Sequence, residues 1–207
     1  HPQREQILVV PNGVDHDFFK PLAAIKKYEI VFTGNMAYPP NVNAARFLAE
    51  KIMPLVWLKF PEARLLIAGA TPDKAVSILA NDLVHVSGWM DDIRLAYAES
   101  KVFVAPMQIG TGLQNKLLEA MSMQLPCVTT PLANDSLKAQ HQTQILVGET
   151  ADQLAENIIA LLSDEAFAKK IALNGYQFVN QNYDWDAASD MLQSAMQHIL
   201  QENKSKK

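Results

Sequence analysis

A glycine-rich stretch in the middle of the chain, Gly110 to Pro126, combines residue types that could bind a nucleotide. It follows an apolar segment and leads into a helical pattern that carries Lys116 and Glu119, three residues apart. A glycine turn between a strand and a helix exposes backbone N–H groups at the positive end of the helix, which favours anions. The Lys116 ammonium would add a positive charge for phosphate. The Glu119 carboxylate, on the same helix face, could accept hydrogen bonds from two sugar hydroxyls. The stretch therefore predicts a nucleotide site, with the diphosphate at the turn and the ribose at Glu119.

The composition is that of an ordinary globular protein with an acidic balance. Apolar residues make up 49% of the 207 residues and charged residues 19%, which provides enough apolar surface for a sizeable core. The net charge of −4 weighs against nucleic acid as a partner. The single cysteine, Cys127, excludes an intramolecular disulfide and favours a reducing compartment. We therefore expect a cytoplasmic protein that does not bind nucleic acid.

No apolar run reaches the roughly 18 residues that a membrane-spanning helix needs, and no signal-peptide pattern is found. We expect at most a peripheral association with the inner face of the cell membrane. The sequence starts at His1-Pro2 without a methionine, and we expect it to be a piece of a longer protein.

Short apolar segments alternate with helical patterns along the first 150 residues. Nearly continuous apolar strands separated by helices predict a parallel sheet covered on both faces. A short strand is predicted at residues 7–10, and six more at residues 29–34, 63–70, 83–87, 101–107, 126–130 and 145–147. We expect an α/β protein with a Rossmann-like, doubly wound parallel sheet of about six strands and a helical C-terminal extension.

Helices are predicted between and after these strands. Asn41 or Asn43 is expected to cap the first, which follows a loop through Pro39-Pro40, and Asp184 the last. The predicted helices comprise residues 41–60, 72–80, one begun by Asp91-Asp92, the one that carries Glu119, and residues 151–162, 164–182 and 185–201. Because ligands bind such sheets at the carboxyl ends of the strands, the glycine-rich stretch is where we expect a ligand.

Several motifs occur in an order and spacing that resemble a known family. They are Val10-Pro11-Asn12-Gly13-Val14-Asp15, Phe32-Thr33-Gly34, Val84-His85-Val86-Ser87-Gly88, and Gly110 through Pro126 with Leu118-Glu119-Ala120-Met121. From Ile7 to Leu200 the chain resembles the C-terminal, donor-binding lobe of the two-lobed retaining glycosyltransferases of family 4. The similarity is greatest to bacterial enzymes that add sugars to surface polysaccharides. The resemblance implies a donor lobe over residues 1–183, and a C-terminal helix and tail over 184–207 that packs toward a missing N-terminal lobe.

The same resemblance implies the site residues. It assigns catalytic roles to Lys116 and Glu119, and donor-substrate contacts to Gly34, Asn35, His85, Val86, Gly110, Thr111, Gly112, Leu113 and Gln114. Two positions depart from the family pattern. Thr111 stands where the family often has a glutamate that contacts the donor sugar, and Asn35 replaces the usual basic residue after the first turn.

The activity implied by the resemblance is transfer of a sugar from a nucleoside-diphosphate sugar to a saccharide or lipid-linked acceptor, with retention of configuration. The acceptor would bind the missing lobe, so we expect this fragment alone to be inactive. The scattered histidines have no metal-ligand spacing, and neither a metal nor another cofactor is expected.

Other interpretations remain open. Lys116 and Glu119 could form a solvated pair on a helix surface, and the glycines could serve tight turning only. Trp57, Trp89 and Trp185 are expected to be packing anchors. A dinucleotide-dependent oxidoreductase is disfavoured because no Gly-x-Gly-x-x-Gly follows the first strand. A non-catalytic nucleotide-sugar-binding relative and a sugar-nucleotide epimerase remain alternatives.

Overall fold

The computed structural model describes residue 10 and residues 12–110 and 112–205, without the side chains of residue 187 and residues 198–205. Its six strands are β1 (Tyr28–Thr33), β2 (Leu65–Ala68), β3 (Val84–Gly88), β4 (Ser100–Ala105), β5 (Cys127–Thr129) and β6 (Leu146–Val147). Its α-helices are α1 (Pro39–Phe47), α2 (Met53–Trp57), α3 (Lys74–Ser77), α4 (Arg94–Ala98), α5 (Asn115–Ser122), α6 (Pro131–Leu137), α7 (Ala151–Ser163), α8 (Glu165–Asn182) and α9 (Trp185–Ser205).

The six strands form one parallel sheet in the order β3-β2-β1-β4-β5-β6. The chain adds strands on one side of β1 up to β3, and then returns to add β4 on the other side. The order therefore reverses between β1 and β4, and in sheets of this kind the ends of the strands separate there and leave a crevice. The predicted Rossmann-like, doubly wound fold is confirmed.

The sheet is buried because its strands are apolar on both faces. Every residue of β2 is buried, as are the last four residues of β1 and of β4. Phe32 and Phe103 are among the largest side chains with no exposure. Such uninterrupted apolar strands are typical of parallel sheets that carry helices on both faces.

The first helical region differs from the prediction. We expected a loop through Pro39-Pro40 and a cap at Asn41 or Asn43, but α1 begins at Pro39 and its N-cap residue is Tyr38. Proline is tolerated in the first turn because the N–H that it lacks has no intrahelical partner there. A π-helical segment, Leu48–Ile52, joins α1 to α2, which starts one residue before Pro54.

One further helix was missed, and the start of another differs from the prediction. Residues 131–137 form α6, which no pattern predicted, and α4 begins at Arg94 rather than at Asp91-Asp92. The strand predicted at residues 7–10 lies outside the described residues, apart from Val10.

The C-terminal helix α9 begins at Trp185, as predicted, directly after a bridge between Val14 and Asp184. Its described side chains are mostly exposed, including Trp185, Leu192 and Met196. The division at residue 183 and the packing of α9 toward another lobe stay predictions. No helix within the described residues is long and apolar enough to cross a membrane.

Candidate functional site

The described residues of the glycine-rich stretch follow the carboxyl end of β4, which is the neighbour of β1 in the sheet. β1 ends in Thr33 and is followed by Gly34, while β4 ends in Ala105 and leads through the glycine turn to α5. α5 carries Lys116 and Glu119. The Lys116 side chain contacts Asn41 of α1, and the Glu119 side chain contacts Tyr97 of α4. The structure therefore brings the turn after β1 and the glycine-rich stretch after β4 together at one end of the sheet.

Lys116 lies over the end of β1. Its ammonium donates a hydrogen bond to the Asn41 side-chain oxygen and lies 4.7 Å from the centre of the Phe32 ring. Burial lowers the pKa of Lys116 to about 8, and the nearby Glu119 carboxylate opposes this shift. A lysine on a solvated helix surface would show neither the contacts nor the shift.

Glu119 is held by a buried tyrosine from α4. The Tyr97 hydroxyl donates to Glu119 Oε2 at 2.6 Å and lies 2.8 Å from Thr33 Oγ1. Since Tyr97 has one hydroxyl proton and it is given to Glu119, Thr33 is the donor in the second bond. Burial raises the pKa of Glu119, while the Tyr97 hydrogen bond and Lys116 lower it. Lys116 and Glu119 form no salt bridge with each other in the described part of the chain.

Both glycines of the turn have positive φ angles, and the turn does not run directly into the helix. Gly110 has φ +109° and Gly112 has φ +87°, a region that favours glycine. α5 starts at Asn115, and its N-cap residue Gln114 makes no side-chain cap. Gln114 instead donates to the Gly112 carbonyl at 3.3 Å, and Leu113 packs partly buried against the core. Within the described residues, the first N–H groups of α5 therefore have no capping side chain.

The turn after β1 is tightly packed. A Cβ atom at Gly34 would lie 2.7 Å from Asn41 Nδ2 and 3.2 Å from Lys116 Nζ, and one at Gly69 would lie 1.8 Å from the Gly34 carbonyl oxygen. The Asn35 side chain accepts a hydrogen bond from the Ala37 backbone N–H at 3.0 Å, so it shapes its own turn. Because Gly34 and Gly69 have no side chain, Asn41 can pack against the turn after β1, and the ends of β1 and β2 can approach each other closely.

His85 and Val86 lie in the interior of β3, away from this group. His85 Nδ1 is 2.6 Å from the hydroxyl of Tyr28, the first residue of β1, so the contact is directed toward the amino ends of the strands. Val86 is partly buried against the core. Trp89, which follows the carboxyl end of β3, is 74% exposed. The expectation that Trp89 is a packing anchor is wrong.

Three residues of the site were not predicted to belong to it: Asn41, Tyr97 and Thr33. Each bonds a side chain that is distant in sequence. Asn41 is 75 residues from Lys116, Tyr97 is 22 residues from Glu119, and Thr33 is 64 residues from Tyr97. Asn41 and Tyr97 lie in local patterns of a helix start and a core helix, which mark no site. Thr33 lies in the Phe32-Thr33-Gly34 motif, which was interpreted only as a strand and a turn. Thr111 lies outside the described residues, and its predicted contact with the donor sugar stays a prediction.

No group of three or more metal-ligating side chains lies together among the residues that the structure describes. Two surface cavities, of about 240 and 460 Å³, lie around Lys101 and Leu162 and do not include the α5 residues. The candidate site is therefore defined by the residues at the carboxyl ends of β1 and β4 and not by either cavity.

Residues 27–164 match the family described as Glycosyl transferases group 1. The chain belongs to this family. A curated relative, an uncharacterized 44.6 kDa protein in the cps region of Klebsiella pneumoniae, is 26% identical over 164 residues, which are 75% of this chain and 42% of the relative. The chain spans less than half the length of the curated relatives that it matches.

Solved structures of glycosyltransferases share the fold. The Anabaena protein HepE in complex with UDP superposes with a TM-score of 0.78 at 14% identity, covering 92% of this chain and 57% of that one. The C-terminal domain of the group 1 glycosyl transferase LpcC from Francisella tularensis gives a TM-score of 0.68 at 22% identity. That match covers 84% of this chain and all of that one. At these identities the likeness establishes the fold.

Proposed function

We propose that this group 1 chain is the C-terminal, donor-binding lobe of a retaining family 4 glycosyltransferase. The enzyme would transfer a sugar from a nucleoside-diphosphate sugar to a saccharide or lipid-linked acceptor. The observation that carries the proposal is the position of Lys116 and Glu119 on α5, at the switch point between β1 and β4. Each side chain is partly buried and held by a residue of another element, which a solvated surface pair would not need.

The diphosphate would bind between Lys116 and the turns that follow β1 and β4. In the described part of the chain the Asn35 N–H has no protein acceptor, and the first turn of α5 has no capping side chain. Free N–H groups at a helix start together with an ammonium form a favourable anion site. As the glycosidic bond stretches, these groups would stabilise the negative charge that grows on the leaving phosphate.

The ribose would bind at Glu119. Tyr97 fixes one carboxylate oxygen, Oε2. The other, Oε1, accepts no hydrogen bond from the described residues, so it can accept from a sugar hydroxyl. The Anabaena protein with this fold has been crystallised with UDP and with UDP-glucose, which supports a nucleotide sugar as the ligand here.

The remaining partners follow from the resemblance. The acceptor and any acid or base groups would be supplied by an N-terminal lobe, and retention rests on the family pattern. The Klebsiella relative in the cps region supports a role in polysaccharide synthesis. We place the protein in the cytoplasm, at most peripherally on the inner face of the membrane, with no metal or other cofactor.

The direct test is Glu119→Gln, with binding measured by calorimetry. Because one lobe buries only part of the ligand, UDP is expected to bind this chain with a Kd on the order of 0.1–1 mM. Glutamine can still accept from Tyr97 but loses the charge, and hydrogen bonds to charged groups are worth about 1.5–3 kcal/mol against about 1 for neutral ones. UDP binding should weaken about ten-fold.

The control ligand is 2′,3′-dideoxy-UDP, which lacks the hydroxyls that Glu119 would recognise and should bind both proteins equally. Glu165→Gln, at an exposed glutamate paired with Lys169 on α8, should leave UDP binding unchanged. An equal loss for UDP and the dideoxy ligand would contradict the ribose role. Nanomolar binding by this chain alone would contradict the idea of a crevice shared between two lobes.

UDP binding should fall as the pH rises above 8. The free ammonium of Lys116 has a pKa of about 8, so its protonated fraction falls from about 0.9 at pH 7 to about 0.1 at pH 9. If the diphosphate binds the charged form, affinity should fall about ten-fold over this range. Calorimetry at about pH 7 and about pH 9 measures this change in UDP affinity.

Lys116→Arg is the control, since a guanidinium stays charged and any remaining pH dependence belongs to the ligand. The titration of Lys116 does not itself destabilise the fold over this pH range. The unfolded chain keeps this proton up to the ordinary pKa of 10.5, so the contribution of Lys116 to stability rises with pH above 8. The same slope in wild type and Lys116→Arg would contradict a phosphate contact by the ammonium.

A further inference from the structure

Asn41 is a buried polar residue with both ends of its amide engaged. It is 6% exposed, in the first turn of α1. Its oxygen accepts from the Lys116 ammonium, and its nitrogen donates to the Asn35 carbonyl at 2.9 Å. A buried amide is stable only when such bonds are made. The side chain therefore links α5 to the turn after β1.

Space for this amide exists because Gly34 has no side chain. A Cβ atom there would lie 2.7 Å from Asn41 Nδ2 and 3.0 Å from its Cγ. The amide thus lies directly against the turn, with the Phe32 ring on another side of the ammonium. A lysine side chain has four rotatable bonds and little directional preference. These contacts restrict the Lys116 ammonium to one position and leave its other protons for a ligand.

We propose that Asn41 is a positioning residue of this site. It fixes the Lys116 ammonium over the end of β1 and links it to the Gly34–Asn35 turn. The ammonium and the backbone of this turn can then bind the same anion. The identity of that anion as a nucleoside diphosphate rests on the proposed function. The contact between Asn41 and Lys116 does not, and it can be tested without a nucleotide.

The first experiment is an NMR pH titration of the chain with ¹³C-labelled lysine, with Lys116→Arg used to assign the Lys116 signal. Glu119 is the charged group whose effect on the Lys116 pKa the structure shows, and it is kept in every variant. Asn41→Asp places a carboxylate on the ammonium and should raise the Lys116 pKa by more than one unit. Asn41→Leu removes the acceptor and should lower it.

Asn43→Leu is the matched control. Asn43 lies in the same helix, and its side-chain oxygen is buried with no hydrogen-bond partner among the described residues. Its replacement should leave the Lys116 pKa unchanged. If Asn41→Asp and Asn41→Leu both left the pKa where it is in the wild type, Asn41 would not contact Lys116 in solution and the proposal would be overturned.

The second experiment is a double-mutant cycle on UDP and uridine binding. Asn41→Leu should weaken UDP about ten-fold, leave uridine unchanged, and add nothing to the loss caused by Lys116→Met. Additive losses, or equal losses for UDP and uridine, would make Asn41 a structural residue only. If no variant and no wild type bound UDP, the proposed function would fail, while the titration would still decide whether Asn41 positions Lys116.

Discussion

Gly69→Ala is expected to unfold the chain, or to lower its free energy of unfolding by about 4 kcal/mol or more. The new Cβ atom would lie 1.8 Å from the carbonyl oxygen of Gly34, at a φ of +139°. No side-chain rotation can relieve a clash between a Cβ atom and a backbone atom, so β1 and β2 would have to separate at their carboxyl ends. Urea denaturation followed by circular dichroism measures the change.

Gly112→Ala is the matched control. Its φ is +87°, but a Cβ atom there would lie more than 4 Å from every described residue other than its chain neighbours. The cost should be the backbone strain alone, about 1 kcal/mol. If Gly69→Ala were as stable as the wild type, the close approach of the two strand ends would be wrong, and so would the geometry of the turn that faces Lys116.

Lys116→Met in the full-length protein is expected to lower kcat by about 10²–10³-fold, the range seen when one preorganised donor to a developing negative charge is removed. Methionine fills a similar volume, so the change removes the charge and the hydrogen bond to Asn41 with little loss of packing. In the isolated chain the same change should weaken UDP binding and leave uridine binding unchanged. Sugar-transfer assays with a labelled donor and calorimetry provide the two measurements.

Lys138→Met is the control for general charge effects, because Lys138 is an exposed lysine paired with Asp135 on the surface. It should retain wild-type turnover. A Lys116→Met enzyme with normal turnover would remove Lys116 from the catalytic machinery, and a loss of uridine binding equal to that of UDP would indicate a general distortion of the site.

The sheet was predictable because its signals are local. Each strand is a short apolar run, and runs such as residues 29–34 and 101–107 were placed within a few residues of β1 and β4. Helix α6 was missed because its residues, PLANDSL, show no apolar periodicity. A signal did exist, since Thr130 before Pro131 is a typical cap followed by a proline in the first turn. The Thr130 hydroxyl accepts from the Ala133 N–H at 3.4 Å.

Only part of the candidate site could be predicted from the sequence. Lys116 and Glu119 could be selected since they follow a glycine turn at a strand end. Asn41 was instead expected to cap a helix, because its neighbours in sequence favour that role. Its actual function depends on Lys116, 75 residues later. Tyr97 could not be predicted to belong to the site, because the partners of its hydroxyl lie on two other elements, β1 and α5. Such contacts follow from strand order, which a single sequence does not specify.

The reversed strand order also shapes how this protein is made. Tyr28 in β1 pairs with Ser100 in β4, so one edge of β1 has no partner until 72 more residues have been synthesised. At about 5–20 residues per second, that edge stays open for roughly 4–14 s on the ribosome. An apolar strand with unpaired backbone groups is prone to associate with other chains. The nascent protein is thus most exposed to aggregation while α1 to α4 emerge, and a ribosome-bound chaperone would matter most in that interval.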